Sequence, residues 1–509
     1  MELAQLLDAI AGETLDVRGR LDELSALDVR NITSDSRQVR QDSIFVAIKG
    51  TNFNGHNALS DAIERGARVV IVEELPASPL PVPVLKVRDS RLAYSMLIVE
   101  LQEHPSDRLR AYGVTGTNGK TTCATLLEQI YNAAGRNVGF IGTTGNRYNG
   151  VQYPTNYSTP HAGELGRLFQ EMADAGVDTI CMEVSSHALD QYRVHGIRYQ
   201  GAIFTNLTRD HLDYHGTMES YAKSKKRLFD GLAPDAIAVL WGESDWTPYM
   251  KRHCKAETLV TVGTSPGNQV IVRDVHLDVT GTSFTLIRNG IEPAQLPAEV
   301  AISTRLLGEF NVANASLVAV LAMLDGIPAD HVAKIMADLQ GPKGRMQVFY
   351  TPSGATAIVD YAHTPDALDN VLQVVRGFLG SDAGSRKLHV VFGCGGNRDK
   401  GKRSEMGRIA TVLADHVYIT TDNPRNERPE DIVNNIMGGV DGAHFYKVTS
   451  IEDRREAICV ALDAAGAEDV VVIAGKGHEE YQIIGDQRIP FSDADEILSW
   501  SAKHKKAPL

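Results

Sequence analysis

Paired cysteines are missing from this chain. Its five cysteines, Cys123, Cys181, Cys254, Cys394 and Cys459, are scattered and form no C-x-x-C pair. An odd, dispersed set excludes a disulfide framework and a cysteine zinc site, and fits a reducing compartment. A surplus of positive charge is missing too. The formal net charge of −13 argues against a nucleic-acid partner, although acidic proteins still bind anions in local basic pockets. No uninterrupted apolar run approaches the roughly 20 residues that span a bilayer. The opening "MELAQLLDAIAGETLDVRG" has acids early and lacks the apolar core of a signal peptide. The expectation is a cytoplasmic protein with no membrane insertion, in which triplets such as Asn206-Leu207-Thr208 are chance glycosylation matches. Internal repeats and low-complexity tracts are also absent, which excludes a solenoid or a disordered linker array.

What is present is size and rhythm. At 509 residues the chain exceeds a single core, and about 100–200 residues per domain suggests three. Residues 1–90 hold short strand-like runs ("IFVAIKG", "RVVIVEE", "PVLKV"). The Pro-rich "LPASPLPVPVLKVRDS" marks a boundary near 90, ahead of a helical pattern, "RLAYSMLIVELQEHP". Residues 91–342 alternate strand, loop and helix from "LRAYGVTGTNGKTT" onward, with a strand-rich patch at 257–302 and a helix, "LLGEFNVANASLVAVLAML", that has Asn311 and Asn314 near its start. From 343 to 509 the rhythm restarts with "ATAIVDYAHTPDAL", "KLHVVFGCGGNRDKGKR", "DHVYITTDNPR" and "DVVVIAGKGHEEY". Near-continuous apolar strands between helices imply parallel sheets covered on both faces. The fold expected is α/β in three domains: an N-terminal α/β domain, a central P-loop ATPase-type sheet and a C-terminal Rossmann-like domain. Ligands of such sheets bind beyond the carboxyl ends of the strands. The polar clusters all lie there, so the second and third domains each offer one reactive rim, and the economical arrangement has the rims facing.

"GVTGTNGKTT" (113–122) runs from a strand through a Gly-rich loop into a helix. Backbone N–H groups from Gly116, Thr117, Asn118 and Gly119 can turn onto phosphate oxygens. Lys120 can reach the β- and γ-phosphates, and Thr121, followed by Thr122, can offer a hydroxyl to Mg²⁺. The phosphate-loop pattern is incomplete, because Val114 stands at its first glycine position. Glu183, ending the strand in "TICMEVSSH", is a candidate further metal ligand. "NLTRDHLDYHG" (206–216) gathers Asp210, His211, Asp213 and His215, for which zinc is the rival reading; no cysteine lies nearby and no HExxH exists.

"TGTNGKTT", "MEVSSHAL", "NLTRDHLDYHGTMESY", "GEFNVANA", "GRMQ" and "DYAHTPD" follow one another in the order found in the Mur ligases, and the resemblance runs over essentially the whole chain. These cytoplasmic ATP-dependent amide ligases build the peptidoglycan stem peptide, and the tail motifs look like those of members adding its third residue. The resemblance implies that a substrate carboxylate attacks the γ-phosphate of ATP and that an amine then attacks the acyl phosphate. It implies Glu183, His211 and Lys225 at a metal, with Lys225 of "YAKSKKRLF" carbamylated to N6-carboxylysine. A solvated helix face is the plain alternative for Lys223, Lys225 and Lys226. Asn311, Arg345, Asp360 and His363 would contact ATP. The UDP end of UDP-N-acetylmuramoyl-L-alanyl-D-glutamate would meet Ser34, Ser36, Thr51, Asn52 and Phe53. Its dipeptide end would meet Ser158, Thr159, Ser185, Gln191 and Arg193. Tyr157 directly before Ser158 departs from the family pattern.

"DNPR" (422–425) marks the members that add meso-diaminopimelate. The arginine has a physical reason: diaminopimelate ends in a carboxylate and an ammonium, where lysine has an ammonium alone. Arg425 would hold the carboxylate with a planar fork, Asp422 and Asn423 would accept from the ammonium, and Pro424 would set the turn. Arg398, Gly475 and Glu479 would complete the pocket by resemblance. The protein is expected to act as a monomer. Two other readings stay open: a folylpolyglutamate synthase or a ligase for another amino acid, and a P-loop switch or motor hydrolysing ATP without either substrate.

Overall fold

The computed structural model describes residues 1–50, 53–155, 157–278, 281–290, 296–379 and 386–504. Two compact units emerge: 1–271 with 288–298 and 316–332, and 272–287 with 299–315 and 333–509. Thr51 and Asn52, expected at the nucleotide sugar, lie outside the described residues.

The first unit contains two sheets. The N-terminal one has five strands, β1 (Thr14–Arg18), β2 (Asn31–Thr33), β3 (Ser43–Val46), β4 (Ala67–Val72) and β5 (Val84–Val87), in the order β1-β5-β4-β3-β2. Only the β1–β5 pair is antiparallel. β3 and β4 are buried almost throughout, as strands covered on both faces must be. The helix Ser90–Leu101 starts at the boundary expected near 90, yet it packs Ala93, Leu97 and Ile98 with Leu3, Leu6 and Val69 of this N-terminal core.

The central sheet is built on β6 (Arg110–Thr115), β7 (Val138–Ile141), β8 (Asn146–Tyr148), β9 (Val151–Tyr153), β10 (Thr179–Glu183), β11 (Tyr199–Phe204), β12 (Ile237–Trp241) and β13 (Thr258–Gly263). Within this unit their order is β13-β12-β11-β6-β10-β7-β8-β9, and β14 (Val270–Asp278) joins β13 through Val270 and Ile271. The pairs from β13 to β7 are parallel, and the hairpin β8–β9 closes the edge antiparallel. The chain leaves β6 for β7 on one side and later returns to β11 on the other. That reversal opens a crevice at the carboxyl end of β6.

The second unit contains the antiparallel pair β15 (Gly281–Arg288) and β16 (Glu299–Thr304). Its main sheet has the order β17-β18-β22-β19-β20-β21, from β17 (Gln347–Tyr350), β18 (Thr356–Asp360), β19 (Leu388–Phe392), β20 (His416–Ile419), β21 (Val448–Ser450) and β22 (Val470–Ala474). All pairs but β17–β18 are parallel. The helices Pro365–Leu379 and Gly401–Leu413 cover one face, while Arg454–Ala464 and Asp493–His504 cover the other. A separate hairpin, β23 (Tyr481–Ile484) and β24 (Gln487–Pro490), turns through Gly485-Asp486. No described helix is long and apolar enough to cross a membrane.

One ion pair anchors the functional end of this second sheet. Arg454 and Asp493 are both wholly buried and joined through Nε–Oδ1 and Nη2–Oδ2, each 2.8 Å. Arg454 Nη2 also donates to Ala474 O at 3.0 Å, the last residue of β22. Breaking such a pair from one side leaves a buried charge alone, so Arg454→Met should lower unfolding stability by about 3–5 kcal/mol. Arg454→Met with Asp493→Leu should recover much of that loss; denaturant unfolding of both variants checks it.

Candidate active site

In the first unit, β6 delivers the chain into the loop Gly116–Gly119 and the helix Lys120–Ala133. Gly116 has no room for a side chain, because a Cβ there would lie 1.9 Å from Thr205 Oγ1. The segment after β11 brackets the loop from the far side. Thr117 N donates to Asn206 O at 3.0 Å, Asn118 N donates to Asn206 Oδ1 at 3.0 Å, and Thr208 N donates to Thr117 Oγ1 at 3.0 Å. Lys120 folds back over the loop, with Nζ 3.0 Å from Gly116 O and 2.7 Å from Thr117 O.

Lys225 meets the same carbonyl, with its Nζ 2.7 Å from Gly116 O. It sits on the helix Met218–Asp230 with only 1% of its surface exposed. Burial, and then the nearby Lys120 charge, hold its amine well below the usual lysine range, while Asp210 pulls the other way. Its neighbours differ: Lys223 is exposed, and Lys226 is tied to Asp230. A solvated helix face therefore describes Lys223 alone.

Glu183 ends β10 and is buried, its carboxylate accepting from Thr143 N at 2.7 Å and Thr143 Oγ1 at 3.1 Å. Thr143 carried no signal of its own in the sequence. His211 lies at φ +51°, with its ring edge-on to His187 at 4.9 Å between centroids. His215 turns instead to Ser186 Oγ at 2.9 Å. Among the described residues no three His, Cys, Asp or Glu side chains converge on one point. The side chain of Asp213 lies outside the described residues.

Four of the residues expected at the dipeptide are brought together. Arg193 Nη1 donates to Thr159 O at 2.9 Å, and Nη2 donates to Gln191 Oε1 at 2.7 Å. Thr159 Oγ1 accepts from Ser185 N at 3.0 Å and donates to Glu183 O at 2.9 Å, which ties this loop to the end of β10. Tyr157 packs its ring 5.2 Å from the Arg193 guanidinium, so the departure from the family pattern makes a cation–π contact. His161 is pushed down to about 4 by burial, then by the charges of Arg193 and Arg91. Arg91 also donates to Lys49 O at 2.8 Å. It was not recognised in the sequence, where it reads as an ordinary helix residue. Ser34 and Ser36 lie just past β2, and Phe53 is 62% exposed.

In the second unit, Asp360 ends β18 and is turned inward. Its carboxylate accepts from Met346 N at 2.8 Å and Ala362 N at 2.9 Å, and burial raises its pKa. Arg345 lies with its guanidinium 4.9 Å from the Tyr361 ring centroid. His363 Nδ1 donates to Tyr361 O at 2.8 Å. Asn311 is buried, donating to Leu307 O at 2.7 Å and accepting from Asn314 Nδ2 at 2.9 Å. Asp360 thus shapes the loop beside Arg345, and Asn311 the start of its own helix, through buried atoms.

The 422–425 segment closes on the hairpin. Arg425 adopts φ +52°, a region that costs a side-chain-bearing residue energy unless its surroundings hold it. Arg425 N donates to Ile483 O at 3.0 Å, and Gly485 N donates to Arg425 O at 2.8 Å, which hold it there. Its Nη1 donates to Gly396 O at 2.9 Å. Among the described residues its Nε and Nη2 meet no acceptor. Both Arg425 and the exposed Arg398 flank Gly395. Glu427 is bound to Arg403 through two 2.8 Å contacts, which hold its carboxyl well below the usual range. Cys394 is a buried packing residue against Met406, its thiol pushed up to about 12 by burial.

Asn423 does not present a free acceptor: its Oδ1 takes Lys476 Nζ at 3.2 Å and Ile483 N at 2.9 Å, and its Nδ2 donates to Glu479 Oε2 at 2.9 Å. Both lone pairs of the oxygen are used inside the protein. Lys476, between Gly475 and Glu479, was not singled out in the sequence, although "GKGHEE" contains it.

Comparison with known proteins agrees with this geometry. Residues 28–96 match the Mur ligase family catalytic domain, 114–322 the Mur ligase middle domain, and 344–477 the Mur ligase glutamate ligase domain. The UDP-N-acetylmuramoyl-L-alanyl-D-glutamate–2,6-diaminopimelate ligase of Geobacillus thermodenitrificans is 41% identical over 499 residues, covering 97% of this chain and 98% of its own. The protein of the same name from Geobacillus kaustophilus is 40% identical over 472 residues, covering 92% of this chain and 93% of its own. A solved structure of a ligase with that name superposes with a TM-score of 0.73 at 31% identity, covering all of both chains. With a phosphate loop on β6 and a matching likeness from end to end, this chain belongs to the Mur ligase family.

Proposed function

We propose that this protein joins meso-diaminopimelate to UDP-N-acetylmuramoyl-L-alanyl-D-glutamate at the expense of ATP, as a cytoplasmic monomer organised in segments 1–90, 91–342 and 343–509. The observation that carries the choice of amino acid is the cluster of charged side chains beyond β20 and β22. Arg425 offers unpaired guanidinium N–H groups there, with Arg398 across Gly395 and the carboxylates of Asp422 and Glu479 close by. That set complements a centre bearing one carboxylate and one ammonium, and a plain lysine side chain would leave the arginine unanswered.

The chemistry divides among this chain's residues. The Gly116–Thr122 amides cradle the triphosphate, and Lys120 exchanges its two loop carbonyls for phosphate oxygens. Asn311, Arg345, Asp360 and His363 contact the nucleotide. Arg193, Gln191, Thr159, Ser158 and Ser185 orient the dipeptide, while Ser34, Ser36 and Phe53, with Thr51 and Asn52, take the uridine diphosphate. The glutamate carboxylate oxygen bonds to the γ-phosphorus and ADP leaves. The diaminopimelate amine then attacks the acyl carbon, loses a proton to solvent, and phosphate departs from the tetrahedral intermediate. Positioning two anions side by side supplies much of the rate.

Thr121, Glu183 and a carbamate on Lys225 form an oxygen-rich set, joined by the His211 nitrogen, that suits a hard divalent cation such as Mg²⁺. Bound there, Mg²⁺ would screen the phosphate charge. Lys225 fits the modification because a buried ammonium beside Lys120 is costly, whereas a neutral amine adds CO₂, releases one proton and becomes an anion.

The test is phosphate release and product mass with ATP, Mg²⁺, the UDP-muramoyl dipeptide and each amino acid in turn. Release is expected only when all are present and stops with chelator. Release without the dipeptide would favour a switch or motor, and use of a folate acceptor would favour a folylpolyglutamate synthase. Arg425→Ala should cost about 2–5 kcal/mol in kcat/KM for meso-diaminopimelate, roughly thirty-fold to several thousand-fold, with KM for ATP little changed. Lys225→Ala should abolish ligation, and native mass spectrometry of the parent protein should show one added CO₂ that acidification removes.

A further inference from the structure

Resting on that reading, we propose that Lys476 is the positioning residue that sets the charge of the amino-acid pocket, leaving its acidic side with one uncompensated negative charge. Lys476 follows β22 immediately after Gly475, whose φ of +115° turns the chain sharply. Its side chain is wholly buried. The ammonium has three donors, and three acceptors surround it: Asp422 Oδ1 at 3.3 Å, Asn423 Oδ1 at 3.2 Å and Glu479 Oε2 at 3.2 Å. Asn423 closes the ring by donating to Glu479. Lys476 therefore has neither surface nor donors left for a substrate, and acts through the residues it holds.

The charge count gives it a function. Asp422 and Glu479 bring two negative charges, and the incoming centre of a diamino diacid offers one ammonium to them. Without a resident cation one carboxylate would stay buried and unpaired, which is costly. Two other buried cations of this unit are already committed, Arg454 to Asp493 and Arg403 to Glu427. Lys476 cancels one charge and draws the two acids onto a common point, while Arg425 and Arg398 meet the substrate carboxylate. The sheet supplies the rigidity: Asp422 stands three residues past β20 and Lys476 two past β22, and Arg454 grips Ala474 O between them.

The test is steady-state kinetics on full-length Lys476→Met and Lys476→Arg, with thermal unfolding as the control for folding. Lys476→Met should raise KM for meso-diaminopimelate about ten-fold or more, with KM for ATP and for the UDP-muramoyl dipeptide within two-fold, and Lys476→Arg should recover part of the loss. An unchanged KM for diaminopimelate, or one that rises in step with the other two, overturns the proposal. If Lys476→Met does not fold, Lys476→Arg is read by the same split: a change confined to the amino acid supports the proposal, while a shared change or none overturns it. A wild-type protein that shows no diaminopimelate-dependent phosphate release overturns the functional reading, and this proposal with it; an active wild type with an indifferent Lys476 overturns this proposal alone.

Discussion

A parallel sheet uses its backbone polar groups in the ladder along each strand and leaves them unpaired where the strand stops. Both units of this protein depend on that constraint. At the carboxyl end of β6 the free carbonyl of Gly116 collects two lysines, Lys120 and Lys225. At the carboxyl ends of β20 and β22 the following loops collect Lys476 with its three acceptors. In each place a buried lysine is held where the regular hydrogen bonding runs out.

The two buried lysines use burial differently. Lys225 has a carbonyl for a partner and a second cation nearby, so its environment opposes the charged form. That is the condition under which a lysine becomes a nucleophile toward CO₂ and can end as an anion. Lys476 is surrounded by two carboxylates and an amide oxygen, and its three donors tie them together. The same residue type, buried in both units, thus meets a carbonyl and a second cation in one and two carboxylates in the other.

Support from below matters as much as the residues that face the pockets. Thr143 clamps Glu183 from the neighbouring strand end, and Thr159 bridges Glu183 O to the Arg193 cluster. Arg403 holds Glu427, and Arg454 holds Ala474. Arg425 in turn keeps its positive φ because Ile483 O and Gly485 N bind its own backbone.

Local pattern alone determined a good deal. Apolar runs bounded by Gly and polar residues marked the parallel strands, and the glycines of "TGTNGKTT" the loop that leads from β6 into its helix. These are properties of consecutive residues, so they can be read along the chain. Tertiary structure decided the rest. It buried Lys225 and exposed Lys223, two positions apart on one helix. It used up the Asn423 oxygen, it drew Arg91 toward Arg193, and it made Lys476 the common partner of residues from two strand ends. Each of those outcomes depends on which distant segment lies alongside, and spacing in sequence carries no record of that.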